Sequence, residues 1–215
     1  MRRRAGLRLA PILLAAACGS PTPTPSPSPS LSPTPTPTPT PVACTGTPSA
    51  YAVAVVDSWI PACSLAQNIY NDPHAALGPP DSTGHGPASY SGFVSLGFGG
   101  HVTLDLGGCI TDRPGPDIRV FQSVSGEAVS VYVSTGPNGP FTLVEALKGC
   151  GNPYSGIQGY CDFDLAAAGI TQARYVRVED GELFPCPGGT VTEGADLDAI
   201  QALGITASAA NPEPR

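Results

Sequence analysis

The chain has 215 residues, a formal net charge of −7, and ten basic residues against seventeen acidic ones. If residues 1–17 are removed as a signal, four arginines and no acid are lost, and the net charge falls to about −11. Such an acidic chain is not expected to bind nucleic acids or anionic lipid headgroups, because both depend on clusters of lysine and arginine.

Residues 1–17 form an export signal in our interpretation. A basic start precedes the apolar stretch Leu7–Ala17, which is far shorter than the roughly 20 apolar residues that a membrane-spanning helix needs. The run Ala15-Ala16-Ala17-Cys18 resembles the cleavage site of bacterial lipoproteins, although alanine replaces the usual leucine three positions before the cysteine. The same alanines also fit an ordinary signal peptidase. We therefore expect export, with a lipid on Cys18 anchoring the chain to the bacterial membrane at the cell surface. Plain secretion is the alternative.

A proline-rich stalk is predicted over residues 18–43. From Pro21 to Pro41, proline alternates with threonine or serine almost throughout. Because every second residue lacks a backbone N–H, neither a helix nor a sheet ladder can form. Such a chain adopts extended polyproline II, at about 3.1 Å per residue. The segment therefore predicts a spacer that holds a domain away from the membrane.

One domain is expected over residues 44–206, followed by a flexible tail at 207–215, and this length suffices for a single core.

If Cys18 carries lipid, six cysteines remain in an exported chain. An even number of cysteines in such a chain indicates three disulfides, for which fifteen assignments are possible. We favour Cys150–Cys161, which flank a Gly-Asn-Pro-Tyr loop. The pairs Cys44–Cys63 and Cys109–Cys186 then complete one of the possible assignments. Zinc is a poor alternative, because no Cys-x-x-Cys occurs and the three histidines are scattered.

A period-two alternation of apolar residues dominates the domain and predicts strands; for example, Val102, Leu104 and Leu106 share one face. Eight short strands are predicted, at Val53–Val56, Phe93–Leu96, His101–Leu106, Ile118–Phe121, Ala128–Ser134, Phe141–Ala146, Arg174–Val178 and Leu197–Leu203. Loops rich in glycine and proline separate them, which indicates an all-β protein with an antiparallel β-sandwich. Helical signals are confined to Ser64–Tyr70 and Leu165–Ala168. Stiff loops at the ends of a sandwich commonly hold ligands.

The order of several segments resembles a known family. The segments are Ala75–Asp81, Val94–Asp105, Ile110–Phe121, Val131–Ser134, Ala173–Val178 and Ala195–Ile200. Together they are similar to bacterial secreted cell-surface proteins with a galactose-binding-like jelly roll of the discoidin or carbohydrate-binding-module type, over nearly all of residues 50–204. The resemblance implies a jelly roll of about eight strands and leaves the ligand open. Gln122 departs from the family pattern, in which an acid usually follows Val120-Phe121.

The resemblance also implies one structural calcium ion between an early loop and the last strand. The matching residues are Asp81 and the pair Asp196 and Asp198, which share a strand face because they are two positions apart. Glu193 can reach the same place from the preceding loop, and Asp72 can add an oxygen, as Ca²⁺ prefers several carboxylate and carbonyl oxygens. The alternative is that these acids are solvated at strand ends.

Two kinds of residue are candidates for ligand binding. Asp112 and Asp117 bracket Arg113-Pro-Gly-Pro and can bind a sugar hydroxyl or a second cation, although an aspartate in such a loop often caps backbone N–H groups. Sugar sites usually present an aromatic side chain to the ring. The aromatic candidates are Trp59, which is the only tryptophan, and Tyr154 and Tyr160 between Cys150 and Cys161. For each of them the alternative is an ordinary role in the core or in anchoring a loop.

No motif of nucleophilic catalysis, nucleotide binding or zinc hydrolysis occurs: the sequence lacks Gly-x-Ser-x-Gly, a Walker loop, Gly-x-Gly-x-x-Gly and His-Glu-x-x-His. We therefore predict a non-enzymatic, surface-tethered binding module, whose partner is a glycan or another cell-surface component such as a protein. A structural envelope or adhesion protein without a small ligand is one alternative. A small hydrolase acting on polysaccharide through paired carboxylates, such as Asp162 and Asp164, is the other.

Overall fold

The computed structural model describes residues 44–61, 69–82, 91–123, 127–151, 159–181 and 194–205. These residues form nine strands and two single-turn 3-10 helices, η1 and η2. In chain order the elements are β1 (Ala54–Trp59), η1 (Pro73–Ala76), β2 (Val94–Ser95), β3 (His101–Thr111), β4 (Ile118–Gln122), β5 (Ala128–Ser134), β6 (Thr142–Gly149), β7 (Gly159–Phe163), η2 (Leu165–Ala168), β8 (Gln172–Asp180) and β9 (Asp196–Ala202).

The strands form two antiparallel sheets. One has five strands in the order β1-β3-β8-β5-β6, and the other has four in the order β2-β9-β4-β7. Among these nine strands, β5 and β6 are the one pair that is adjacent both in sequence and in a sheet. Every other connection leads from one sheet to the other, so the chain winds as a jelly roll. The predicted antiparallel β-sandwich is confirmed.

All eight predicted strands overlap observed ones, and β7 is the additional strand. Its inward positions are Gly159, Cys161 and Phe163, so that only one large apolar side chain marks its inner face. The helical signal at Leu165–Ala168 corresponds to η2. Residues 64–68 of the other helical prediction lie outside the described part of the chain, and η1 was not predicted.

The core lies between the sheets and is built from the inward positions of both. Val102, Leu104 and Leu106 of β3 are fully buried, as their alternation predicted. From the five-stranded sheet they pack in one cluster with Val120 and Ile200 of the other. Burial of a side chain of this size stabilises the fold by about 1.5 to 3 kcal/mol. The intervening residues of each strand necessarily point outward.

Two disulfides are present in the described residues. Cys150–Cys161 joins the end of β6 to β7 with Cα atoms 4.6 Å apart, which confirms the favoured pair. Cys44 pairs with Cys109 at a Cα distance of 5.7 Å, so the assignments Cys44–Cys63 and Cys109–Cys186 are wrong. The reason is that the chain before β1 runs along β3, where the Cys109 N–H donates to the carbonyl of Gly46 at 3.1 Å. Cys63 and Cys186 lie outside the described residues.

The predicted signal, stalk and C-terminal tail also lie outside the described residues, so the domain limits at 44 and 206 stay predictions. Among the residues that are described, no helix is both long enough and apolar enough to cross a membrane. The described residues all fall within the compact unit Thr40–Arg215.

A buried aspartate at the end of β8 fastens two loops to the sandwich. Asp180 is 3% exposed. Its carboxylate accepts hydrogen bonds from the N–H of Gly99 at 3.0 Å and from the N–H of Ala195 at 2.8 Å. These loops lead into β3 and β9, so one carboxylate holds the start of one strand in each sheet.

We expect Asp180→Asn to lower the free energy of unfolding by about 1 to 3 kcal/mol, because an amide group turns a donor toward one of these N–H groups and leaves it unsatisfied. Urea unfolding of the two chains measures the difference. Glu145→Gln is the matched control, since it removes only a surface ion pair with Lys148 worth about 0 to 1 kcal/mol. Equal losses in both variants would contradict the assignment.

Candidate functional site

The outer side of the five-stranded sheet displays two rows of polar and aromatic side chains. The side chains in these rows point outward because the neighbouring residues along each strand point into the core. We call this surface the five-stranded face. The first row crosses the strands as Trp59, His101, Glu179 and Ser130, and the second as Asp57, Thr103, Arg177 and Tyr132.

An ion-pair network fixes the centre of the second row. The Arg177 guanidinium donates from Nε to the Thr103 hydroxyl at 3.0 Å and from Nη2 to an Asp57 oxygen at 3.3 Å. The same Asp57 oxygen lies 3.1 Å from Nε2 of His101. Asp57 therefore ties both rows together on β1, β3 and β8. Since its side chain is 53% exposed, the network adds little stability, and its main consequence is to hold the arginine in one orientation.

Aromatic rings flank this network on both sides. Trp59 is 54% exposed at the end of the edge strand β1, and its ring lies 6.2 Å from that of His101. The Arg177 guanidinium lies 4.5 Å above the centroid of the Phe141 ring. Tyr132 stands beside Arg177 on β5, and burial raises the pKa of its hydroxyl, with a further rise from the charge of Glu179. The face thus joins apolar ring surface to fixed charges.

Several polar groups on this face have no hydrogen-bond partner among the described residues. They are Nε1 of Trp59, the Tyr132 hydroxyl, the Glu179 carboxylate and Nη1 of Arg177. Two of these groups donate, one accepts, and the hydroxyl does both. The distance from β1 to β5 is three strand spacings, about 14 Å. The arrangement can therefore hydrogen-bond an extended polar ligand that also offers an apolar surface to Trp59.

Of the predicted ligand residues that the structure describes, only Trp59 belongs to this face. Tyr160 is 51% exposed but lies on β7, at the outer side of the four-stranded sheet. Tyr154 lies outside the described residues. Asp112 and Asp117 lie at the end of the sandwich where β3 leads into β4. The structure thus puts Trp59, Tyr160 and the pair Asp112 and Asp117 at three separate places. The roles of all five predicted residues in ligand binding stay predictions.

Asp112 and Asp117 meet Asp164, and the three carboxylates each place an oxygen within 4.8 Å of the others. Asp117 is 1% exposed, and its oxygens accept from the N–H of Arg113 at 3.1 Å and of Leu165 at 3.0 Å. Asp164 caps η2 by accepting from the N–H of Ala166 at 2.9 Å. Oδ1 of Asp112 is buried without a hydrogen bond. Desolvation raises the pKa of Asp117, and the charges of Asp112 and Asp164 raise it further, against the effect of its two hydrogen bonds. These groups can hold a divalent cation.

Two of the residues predicted to bind calcium, Asp198 and Asp72, have carboxylates with other partners. The buried Asp198 carboxylate accepts from the N–H of Asp81 at 3.1 Å and of Ser82 at 3.3 Å, so its oxygens face donors. The exposed Asp72 accepts from the N–H of His74 at 3.0 Å and caps η1. Glu193 lies outside the described residues. The structure brings Asp81 to Asp198 as the resemblance implied, but through a backbone amide.

Asp196 is the member of this set with a buried carboxylate oxygen that has no hydrogen bond in the described part of the chain. It is 1% exposed. Desolvation raises its pKa to about 7, although a hydrogen bond from Ser95 opposes this rise. The backbone N–H of Asp196 donates to the Glu127 carboxylate at 3.1 Å. In these surroundings, the Asp196 carboxyl group can either be protonated or bind a cation.

The carboxylates considered for hydrolysis are both engaged. Asp162 accepts from Nε of Arg119 at 2.7 Å and from Nη2 of the same residue at 2.8 Å, and Asp164 caps η2. Glycosidic hydrolysis needs one carboxyl group to donate a proton and another to act as base or nucleophile. Both carboxylates thus already have hydrogen-bond partners among the described residues.

Sequence reasoning missed most of the five-stranded face. In the network, Asp57 lies 44 positions along the chain from His101 and 120 positions from Arg177. No local spacing in the sequence marks these residues. The one available signal was alternation, because the outward positions of β3 and β8 carry His101, Thr103, Arg177 and Glu179. A strand whose outer positions are charged or aromatic differs little in sequence from an ordinary solvated strand.

We expect the stability conferred by Asp196 to depend on pH. Between the ordinary aspartate pKa of 3.8 and a folded value of about 7, the native state retains a proton that the unfolded state has lost. Stability therefore falls as pH rises through this window and levels off above it. The total corresponds to on the order of 4 kcal/mol. Urea unfolding at pH 5 and pH 8, in the presence of EDTA, measures the part of this loss that falls above pH 5, about 2.7 kcal/mol.

Asp196→Asn is the variant that isolates this carboxyl group. The amide cannot ionise, so we expect its stability relative to the original chain to rise between pH 5 and pH 8. Asp81→Asn serves as control, because Asp81 is exposed. A difference between Asp196→Asn and the original chain that stays constant with pH would contradict the shifted pKa.

Comparison with known proteins gives few matches. No family model matches the chain, and no curated protein matches it. Among solved structures, the chain is similar to the CBM32, a carbohydrate-binding module, of AlyQ in complex with 4,5-unsaturated mannuronic acid. The TM-score is 0.36 and the identity 15%, over 69% of this chain and 94% of that chain. The β-sandwich assigned above rests on the strands and sheets of this chain itself.

Proposed function

We propose that this protein is a carbohydrate-binding module whose ligand lies across the strands of the five-stranded face. The observation that carries the proposal is the exposed ring of Trp59 on the same face as polar groups without internal partners among the described residues, namely the Glu179 carboxylate, the Tyr132 hydroxyl and Nη1 of Arg177. A sugar ring has an apolar side that packs on an aromatic ring and a rim of hydroxyl groups that need hydrogen bonds. Both requirements are met on one surface.

Each component of the face has a distinct task in this proposal. Trp59 packs against the apolar side of one sugar unit, and its Nε1 donates to a hydroxyl. Arg177 donates from Nη1, and the Glu179 carboxylate accepts. Because Thr103, Asp57 and Phe141 already hold the guanidinium, its side-chain entropy is largely lost before the ligand arrives, which favours binding.

The charge on the face favours a neutral glycan. Arg177 is balanced by Asp57 and opposed by Glu179, and the chain as a whole is acidic. A polyanion would meet both acids, whereas a neutral oligosaccharide can use donors and acceptors alike. The span of about 14 Å from β1 to β5 admits several sugar units in a row.

The module is tethered and non-catalytic in our proposal. Support for the tether comes from the lipoprotein-like segment ending at Cys18 and from the proline-rich residues 18–43. A chain of this composition keeps a binding face away from the membrane. Support for binding without catalysis comes from Asp162 and Asp164, whose carboxylates are used by Arg119 and η2. A secreted form with the same binding face is the alternative.

We expect Trp59→Ala to lower the affinity for a neutral oligosaccharide at least tenfold, equivalent to about 1.4 kcal/mol, because the stacking surface is lost. A glycan array first identifies the sugar, and calorimetry then measures the dissociation constant. Trp59→Phe is the matched control and should retain most of the affinity. Since Trp59 is exposed, both variants should melt like the original chain.

Binding to no glycan on the array would contradict the proposed function and would favour the structural or adhesion role. An unchanged affinity in Trp59→Ala would show that the ligand binds elsewhere than on the five-stranded face. Release of shorter sugars from a bound polysaccharide would instead favour the hydrolase.

A calcium ion at the cluster of Asp112, Asp117 and Asp164 is a second part of the proposal. It is supported by the three converging oxygens and by the buried oxygen of Asp112 that has no hydrogen bond. Such an ion would stabilise the loop that leads into β4. At 100 times its dissociation constant it adds about 2.7 kcal/mol to the free energy of unfolding.

We therefore expect millimolar CaCl₂ to raise the melting temperature of the original chain by several degrees above its value in EDTA. Asp112→Asn should abolish the increase, while Asp81→Asn should leave it intact. The reverse pattern would favour the set that contains Asp81, Asp196 and Asp198. A melting temperature indifferent to calcium, with no metal in the purified protein, would contradict both locations.

A further inference from the structure

A second aromatic and polar surface covers the outer side of the four-stranded sheet. Tyr160 projects from the edge strand β7 and is 51% exposed, while Gly159 and Cys161 on either side of it are buried. Tyr160 pairs across strands with Phe121, and the two ring centroids lie 6.0 Å apart. We call this surface the four-stranded face. It points away from the five-stranded face, because two packed sheets have their outer sides on opposite sides of the sandwich.

An arginine holds the Tyr160 ring in place. The Arg119 guanidinium carbon lies 4.0 Å from the centroid of the ring. The same guanidinium binds Asp162 through Nε and Nη2 at 2.7 and 2.8 Å. This two-point contact fixes the plane of the arginine, and the arginine in turn supports the tyrosine. Nη1 of Arg119 has no hydrogen bond among the described residues and can donate to a ligand.

The polar row on this face resembles the rows on the five-stranded face. Asp162, Arg119, Gln201 and Tyr51 follow one another across the sheet. Tyr51 and Gln201 are partly exposed. An aromatic ring therefore lies on each side of Arg119, Tyr160 on β7 and Tyr51 beyond Gln201. Three strand spacings, about 14 Å, separate the ends of the row. A fixed cation, an amide and two rings are again presented together.

Charges on the four-stranded face are matched. Arg119 is paired with Asp162, and the nearby Lys148 is paired with Glu145 at 2.7 Å. No unpaired charge of either sign remains among these four residues to select a polyanion or a polycation. An exposed ring with hydrogen-bonding groups and no net charge matches the chemistry of a neutral sugar.

We propose that the four-stranded face is a second carbohydrate-binding site, so that one domain binds two neutral glycan chains, one on each outer side. This inference rests on the proposed function of the five-stranded face. A single rigid oligosaccharide cannot contact both sites, because the two sheets alone are about 10 Å apart and the faces point in opposite directions. A domain with two such sites links separate glycan chains.

The test is a titration of the full chain with three neutral sugars, galactotetraose, mannotetraose and cellotetraose, each followed by calorimetry and by tryptophan fluorescence. Because Trp59 is the only tryptophan, the fluorescence change reports the five-stranded face alone. We expect a stoichiometry of two with at least one of these sugars. Tyr160→Ala should reduce it to one, or weaken the second site at least tenfold, with the fluorescence change unaltered.

Two controls make the result specific. Tyr160→Phe retains the ring and should retain both sites, and Trp59→Ala should leave a stoichiometry of one that Tyr160→Ala then removes. A stoichiometry of one that Tyr160→Ala does not alter, together with a normal fluorescence change, would overturn the second site and leave the first intact. No heat and no fluorescence change with any of the three sugars would overturn both.

Discussion

Three buried aspartates hold the loops of this sandwich, and the positions of both outer faces depend on them. Asp117, Asp180 and Asp198 are each at most 3% exposed. The carboxylate of each accepts two backbone N–H groups from connecting segments. A carboxylate with two such donors can be buried because these hydrogen bonds replace those it would make to water. Strands that begin at a fixed loop have a fixed register, and register decides which side chains face outward.

This arrangement explains why the candidate site lies on a sheet face although loops were the expected location. Two of the aspartates that attract attention in the sequence, Asp117 before β4 and Asp198 on β9, have carboxylates committed to backbone amides. The side chains with unused hydrogen-bonding capacity instead stand on the strands, next to Trp59 and Arg177. Strands hold such groups more rigidly than loops do, which reduces the entropy lost on binding.

Two carboxylate groups each have one buried oxygen without a hydrogen bond among the described residues. Asp112 and Asp196 each have a buried oxygen that no described residue satisfies. Such a group must bind a proton, a cation or water, since an isolated charge in the interior is costly. For Asp196, desolvation is the leading cause of its raised pKa. The free-energy cost of burying a charge thus makes Asp196 sensitive to pH, and it makes the cluster around Asp112 suitable for a cation.

The sequence by itself determined the fold class and most strand positions, because alternation of buried and exposed residues is a local property that Val102, Leu104 and Leu106 carry in their spacing. It also identified Cys150–Cys161, whose partners are separated by 11 positions. Only the tertiary structure decided that Cys44 meets Cys109, across 65 positions, and that Asp57 meets Arg177. Strand order and register arise from pairing between distant segments, and many orders are compatible with the same local pattern. The composition of each outer face therefore follows from the folded chain, even though every residue in it was visible in the sequence.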